Sequence, residues 1–326
     1  ENLLELLMNK TVCVVGAGYW GKNHIKTLSK LGYLSGVVDV DINMLKKVKL
    51  KFPRIKTHLS IDEALKYNYD GYIIATPASS HFSIAKIIIA HKKHVLIEKP
   101  MTLSIRDAEK LVVLAEREKV NVMVGHVLLF HPALMKIKSM IDKGEIGDLQ
   151  YIYSNRLNLG KVRTHENVFW SLAPHDIAIF QHLTNSTPSL INARGSTFLQ
   201  KGIPDSTLTQ IEYENGVKGH IFVSWLHPFK EHRFVVIGSE AMISFEDSLK
   251  DKPLKLYSKK IDFKFGIPEK IDGPEKIISF PKKMPLEIEL EYFIKHMSGK
   301  KPDISNIYHG LEVMKVLVKA GEQLLS

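Results

Sequence analysis

The chain of 326 residues carries 45 Lys and Arg against 35 Asp and Glu, a formal net charge of +10, with 44% apolar residues. That length supports two domains and a sizeable core, and no apolar run reaches membrane-spanning length. The excess charge is scattered lysine rather than a dense basic block. Nucleic acid is therefore not the expected partner, and two readings stay open: a solvated lysine-rich surface, or a field that attracts anionic substrates.

The opening ENLLELLMNK holds Glu1, Glu5 and Lys10 and has no small-residue cleavage site. It reads as a helical turn or two ahead of the first strand. The single cysteine, Cys13, falls inside an apolar strand, so no internal disulfide can form and a reducing cytoplasm is expected.

From Thr11 to about Val127 strands and helices alternate. TVCVVGAG runs into glycines and a helix beginning near Gly21. LSGVVDV is a second strand, followed by a lysine-rich helix over Asp41 to Phe52. IKTH and GYIIATP follow as strands, the latter apolar until Thr76-Pro77. The next helix opens at Ser79-Ser80 and should bury Ile84, Ile87, Ile88 and Ala90. HVLIEKP is the fifth strand, Ser104 caps the helix IRDAEKLVVLAEREK, and VNVMVGHVLLF is the sixth strand. Continuously apolar strands separated by helices predict a doubly wound parallel sheet covered on both faces.

A helix from Pro132 to Lys143 bridges to a different rhythm. Strands are expected at 150–157, 189–199, 206–213, 217–225, 233–237 and 241–245, with Asn215-Gly216 as a type I′ hairpin turn. Residues 259–275 are charged and proline-containing and read as a loop. Two helices, 285–297 and 307–325, close the chain. The predicted division is residues 1–128 for a dinucleotide-binding α/β domain. Residues 129–326 form a substrate-binding and oligomer-forming α+β domain with an open, mainly antiparallel sheet. The last helix is able to return to the first domain.

Gly16-Ala17-Gly18-Tyr19-Trp20-Gly21 is a G-x-G-x-x-G sequence that follows a strand and opens a helix, the context a Rossmann fingerprint requires. Gly16 permits the turn, Gly18 lets backbone approach a pyrophosphate, and Gly21 lets helix and strand pack closely. Asp39, ending the second strand, stands where a carboxylate would bind the adenosine ribose and repel a 2′-phosphate, so NAD is expected over NADP. Lys46 and Lys47 are too far along the helix to reverse that preference.

VLIEKP joins a buried strand to Glu98, Lys99 and Pro100. Ligands of an open parallel sheet lie beyond the carboxyl ends of its strands, so the Lys99 ammonium is expected there, with Glu98 balancing or orienting it. A structural salt bridge at a strand end is the competing reading. Pro100 fixes the backbone, with a cis bond one way to do so.

On GAGYWGKNH, ATPASSHF and EKPMT, followed by a sheet domain, the sequence resembles the glucose-fructose oxidoreductase and inositol 2-dehydrogenase (Gfo/Idh/MocA) family across nearly the whole chain. The resemblance implies that Lys99 contacts both the nicotinamide ribose and the reacting hydroxyl. It also implies that Thr76, Pro77, His81 and Glu98 line the cofactor; His126, in the sixth strand segment, is a further cofactor candidate. Ala78 stands where the family often has Asn.

FWSLAPHDIAIF reads as a helix starting at Pro174, the tolerated first position, with His175 in the first turn. An isolated histidine is more often structural than catalytic, but the family places an acid/base histidine on this helix. Ser171 occupies the position where an Asp often precedes it. Asp176 is a candidate orienting or substrate group. The implied chemistry has His175 remove a hydroxyl proton while hydride leaves the same carbon and Lys99 stabilises the alkoxide. The lysine and histidine are expected to converge on one sugar alcohol. A zinc site is not expected, because the cysteine and histidines lack ligand spacing.

SNRLNLGKVRTHENVFW delivers Arg156, Asn158, Lys161 and Arg163 just before that helix. They read either as a solvated edge and loop or as a grip on a diphosphate by Arg156 or Arg163. With its APHD ending the segment resembles the branch of the family that oxidises C3 of UDP-linked N-acetylamino sugars. The alternatives are another sugar or polyol (inositol or a dTDP-keto sugar) and a non-catalytic NAD(H)-binding sensor. A homodimer or homotetramer is expected from the open sheet face.

Overall fold

The structure is a computed structural model that describes residues 10–325, so the helical turns expected at 1–9 lie outside the described residues. The chain divides into two compact units, Glu1–Phe130 with Lys283–Met314, and His131–Lys282 with Lys315–Ser326.

In the first unit six parallel strands stand in the order β3-β2-β1-β4-β5-β6. They are β1 Val12–Val15, β2 Leu34–Val38, β3 Lys56–His58, β4 Gly71–Ile74, β5 His94–Glu98 and β6 Val122–Gly125. β1 and β4, at the centre, are buried at every position. Helices α1 Tyr19–Leu31, α2 Ile42–Lys51, α3 Ile61–Leu65, α4 His81–Ala90 and α5 Ile105–Glu118 connect them. Asp41 caps α2, Ser60 caps α3 and Ser104 caps α5, each accepting a first-turn N–H. α3 was not expected, although Ser60 followed by Glu63 is a capping-box signal. Along α4 the buried residues are His81, Ala85, Ile88 and Ile89, while Ala90 is exposed. A 3₁₀ turn over Ala78–Ser80 precedes this helix and sets its phase.

The second unit holds α6 Pro132–Asp142, β7 Leu149–Leu157, α7 Val168–Thr184, β8 Pro188–Ser196 and β9 Ser206–Tyr213. It continues with β10 Lys218–Ser224, β11 Glu231–Gly238, β12 Met242–Glu246, β13 Leu254–Lys264 and β14 Ile267–Ile277. The eight strands run in the order β14-β13-β12-β11-β7-β10-β9-β8 and are antiparallel except for the parallel pair β7–β10. α7 packs on β7, β9 and β10 and covers one face. On the other face Tyr151, Tyr153 and His220 are half-buried, with the Tyr153 and His220 rings stacked at 5.1 Å. The chain then returns to the first unit with α8 Pro285–His296, and α9 Ile307–Leu325 closes it.

Two turns differ from expectation. The β9–β10 hairpin forms, but only Gly216 has positive φ, at 87°, and the Gly216 N–H donates to Tyr213 O at 2.9 Å. It is a three-residue loop closed by a glycine bulge instead of a type I′ turn. Residues 259–275 form most of the ribbon β13–β14, not a loop, and Phe265-Gly266 turns it with φ of 53° and 80°. Ion pairs Lys255–Glu275 and Lys259–Asp272, at 2.6 and 3.0 Å, cross the ribbon. The ribbon's tip is exposed throughout, so no apolar alternation announced it.

Candidate active site

The candidate residues fall in both units and each unit is taken by itself. In the first, the loops that follow β1, β2, β4, β5 and β6 all leave the carboxyl edge of the parallel sheet. Gly16 has φ of +96°, and a Cβ there would meet Ala75 O at 2.8 Å; a Cβ on Gly21 would lie 1.9 Å from Gly16 O. Neither position admits a side chain. Gly18, at the N-cap of α1, faces open space and no side chain caps the helix. Its first-turn N–H groups are thus open to phosphate oxygens, and exposed Tyr19 and Trp20 flank them. Asp39 accepts from the Ala17 N–H at 2.7 Å and the Asp41 N–H at 2.9 Å. The carboxylate therefore sits against the glycine loop, and the set fits a dinucleotide.

Thr76 accepts from the Ser80 hydroxyl at 2.7 Å, and Pro77 precedes the 3₁₀ turn. His81 is buried, its ring nitrogens each 2.9 Å from a carbonyl oxygen, that of Thr76 and that of Pro100. It braces the loops after β4 and β5 together through their main chains. Half-buried Lys99 follows β5, and its bond to Pro100 is cis. Glu98 is buried, with Oε1 2.6 Å from His24 Nε2 and Oε2 accepting from the Lys99 N–H at 3.3 Å. Its carboxylate is turned inward, onto the helix of the glycine loop. His126 is also buried, and its pKa is held well below the ordinary histidine value by burial first, then by His309 and Lys99. A neutral ring beside Lys99 keeps one donor and one acceptor.

In the second unit His175 and Asp176 lie on α7. This helix starts well before Pro174: Asn167 is its N-cap, accepting from the Trp170 N–H at 3.0 Å, and Pro174 sits in the interior. The expected start at Pro174 is thus corrected. Pro174 has no N–H to give the carbonyl four residues back, and the packing of the buried residues Phe169, Ala173, Ile177 and Phe180 carries the helix through. His175 is half-buried and Asp176 buried.

Arg156 on β7 grips Asp176 with two hydrogen bonds, Nε to Oδ2 at 2.8 Å and Nη2 to Oδ1 at 3.0 Å. Burial works against the guanidinium charge, but Asp176 outweighs it and the pKa of Arg156 is raised. Two residues expected to touch substrate are therefore bonded to each other. His232, opposite Arg156 on β11, is pushed down to about 4 by burial and by the charges of Arg156 and Lys230. Asn158 donates its N–H to Ser224 O at 3.1 Å, and exposed Arg163 lies 3.3 Å from Glu166. Lys161 is exposed beside it. Among the described residues no group of three or more His, Cys, Asp or Glu side chains could hold a metal ion. No helix among them is long and apolar enough to cross a membrane.

Residues 10–126 match the model described as "Oxidoreductase family, NAD-binding Rossmann fold", and residues 134–244 match "GFO/IDH/MocA C-terminal domain". The chain belongs to the Gfo/Idh/MocA oxidoreductase family. It is 25% identical over 292 residues, 89% of each chain, to UDP-N-acetylglucosamine 3-dehydrogenase of Acidithiobacillus ferrooxidans. It is 28% identical over 202 residues, 59% of each chain, to scyllo-inositol 2-dehydrogenase (NAD(+)) of Bacillus subtilis. A solved structure of the Acidithiobacillus enzyme superposes with a TM-score of 0.85 at 23% identity, covering 97% of both chains, which speaks to the fold.

Within this Gfo/Idh/MocA chain the sequence reading missed His24, Glu289 and His232. Each is a polar side chain on the inward stripe of its helix or strand. Glu289 shares its stripe with Phe293 and His296, and that spacing was the available signal.

Proposed function

We propose that this chain is an NAD-dependent dehydrogenase that takes hydride from a secondary alcohol of a sugar, best C3 of a UDP-N-acetylamino sugar (UDP-N-acetylglucosamine or its uronic acid). The observation that carries this reading is the similarity to UDP-N-acetylglucosamine 3-dehydrogenase over 89% of each chain. NAD is favoured over NADP because the Asp39 carboxylate, held against the glycine loop by Ala17, would repel a 2′-phosphate. A cytoplasmic enzyme fits the single, buried Cys13.

Bound NAD supplies the hydride acceptor. Lys99 donates a hydrogen bond to the substrate hydroxyl oxygen and stabilises the charge that develops there. His175 takes the hydroxyl proton as general base. Asp176, clamped by Arg156, fixes the turn of α7 that carries His175. Because Arg156 is committed, the diphosphate grip falls to Arg163, with Lys161 beside it and Asn158 as a further substrate contact. The sheet face bearing Tyr151, Tyr153 and His220 is our candidate for pairing with a second copy, which sedimentation would measure.

The test is reduced-nicotinamide absorbance with UDP-N-acetylglucosamine, its uronic acid and inositols. Lys99→Ala and His175→Ala should each lower kcat by at least about 100-fold while NAD still binds. Arg163→Ala should raise KM for the UDP-sugar and leave inositol turnover unchanged. Near-wild-type rates in either of the first two variants sink the assigned role. Turnover of inositols alone would favour the second reading, a polyol dehydrogenase, which the scyllo-inositol 2-dehydrogenase relative supports.

A further inference from the structure

Three acidic and basic side chains that the proposed chemistry does not use meet inside the first unit. His24 comes from the second turn of α1, the helix that the glycine loop opens. Glu98 is the last residue of β5, immediately before Lys99. Glu289 comes from α8, which packs on α1. His24 and Glu289 are 0% exposed and Glu98 is 9% exposed.

The bonding among them is specific. A carboxylate only accepts, so in the 2.6 Å contact the His24 Nε2–H donates to Glu98 Oε1. The other oxygen of Glu98 accepts from the Lys99 N–H at 3.3 Å. Gly125 on β6 makes room for the group, since a Cβ there would stand 3.1 Å from the Glu98 carboxyl carbon. The Glu98 side chain is thus wedged between α1, β6 and the peptide of Lys99. Glu289 has no hydrogen-bond partner on either oxygen, and burial first, then the charge of Glu98, raise its pKa well above the carboxylate range. It is the neutral member of the group, and its neutrality lets a second carboxyl stand near Glu98 without repulsion.

We infer that His24 is a positioning residue for Lys99: it holds the Glu98 carboxylate in one place, and that carboxylate in turn fixes the main chain from which the lysine projects. The arrangement ties the helix of the dinucleotide loop to the strand end bearing the alkoxide-stabilising ammonium. The inference rests on the proposed role of Lys99. It adds a residue that touches neither substrate nor cofactor. Burying a carboxylate merely to fill space would be a costly choice, because an apolar side chain of similar volume packs there at no desolvation cost.

The direct test needs no substrate. Lysines of the intact protein are reductively methylated with ¹³C, and the Lys99 dimethylamine resonance is assigned by its loss in Lys99→Arg. His24→Leu should move that resonance and its pH titration. His24→Gln, which offers an N–H near the Nε2 position, should restore both. Glu289→Gln should leave the signal in place, because the carboxyl there is already uncharged. With a turned-over sugar, His24→Leu should lower kcat up to about 100-fold at unchanged KM for NAD. The primary deuterium isotope effect should rise with it, and the loss should not be additive with Lys99→Ala. An unmoved Lys99 resonance in a folded His24→Leu protein overturns the inference, as does full additivity. Activity surviving in Lys99→Ala overturns the functional reading instead, while the resonance still decides the coupling.

Discussion

Asp176 and Glu289 are buried to the same depth, 1% and 0% exposed, yet the two units treat them in opposite ways. In the second unit Arg156 meets Asp176 with a two-bonded guanidinium clamp. In the first unit Glu289 meets no partner and keeps its proton. Burial forbids a bare charge in both places. A partner of opposite sign preserves the charge and gives a fixed direction in space, whereas protonation removes the charge and with it the directional demand. The clamped carboxylate sits next to His175, where geometry matters to the proposed chemistry. The protonated one faces another carboxylate, where a second charge would repel.

Removing the clamp should produce the largest effect. Arg156→Leu leaves Asp176 charged and unpaired inside the second unit, and the expected loss is about 3–5 kcal/mol, read as a lower urea midpoint. Replacing both, Arg156→Leu with Asp176→Leu, should recover most of that loss, because the penalty comes from the stranded charge. His175-dependent turnover should stay low in the double variant, since the turn of α7 is no longer tied to β7. An Arg156→Leu protein as stable as the parent would break the comparison.

Glu289 should behave the other way. Its folded-state pKa is raised above the ordinary 4.5, so between pH 4.5 and that raised value the folded protein holds a proton the unfolded chain has released. Stability therefore falls as pH rises through that window. Glu289→Gln removes the linkage. The variant should melt close to the parent at pH 4.5 and increasingly above it toward neutral and alkaline pH. A melting difference that stayed flat with pH would mean that Glu289 is ionised in the folded protein.

How far these features could be read in advance depended on whether a residue's neighbours in sequence reveal its neighbours in space. The inner parallel strands β1, β4, β5 and β6 were legible because burial on both faces forces near-continuous apolar runs, and Gly16, Gly18 and Gly21 because a tight turn onto a helix needs them. Asp39 was legible by its place at the end of β2. The helix of His175 was placed correctly in the chain but started too late. Pro174 is a loud local signal, while the Asn167 cap is a quiet one and packing overruled the proline. His24 and Glu289 lie on amphipathic helices where polar residues ordinarily face water, and only their position on the apolar stripe marked them. The clamp between Arg156 and Asp176 joins strand to helix across 20 residues, a distance that no local pattern encodes. The β13–β14 ribbon buries so little that its sequence carries no core-facing period at all.

The smallest predicted effect sharpens the contrast by adding a polar group that water can rescue. Asn167 caps α7 by accepting the Trp170 N–H at 3.0 Å, and both residues are half-buried. Asn167→Ala removes that acceptor, but the orphaned N–H stands at a helix start where solvent can replace it. The expected cost is about 1 kcal/mol, well below that of stranding Asp176. Circular dichroism melting should register this as a modest drop with the turnover per folded molecule preserved, because the Arg156 clamp still anchors the turn bearing His175 two helical turns further along. If Asn167→Ala instead matched Arg156→Leu in stability and in lost turnover, the N-terminal cap and not the buried ion pair would be what holds α7 in place.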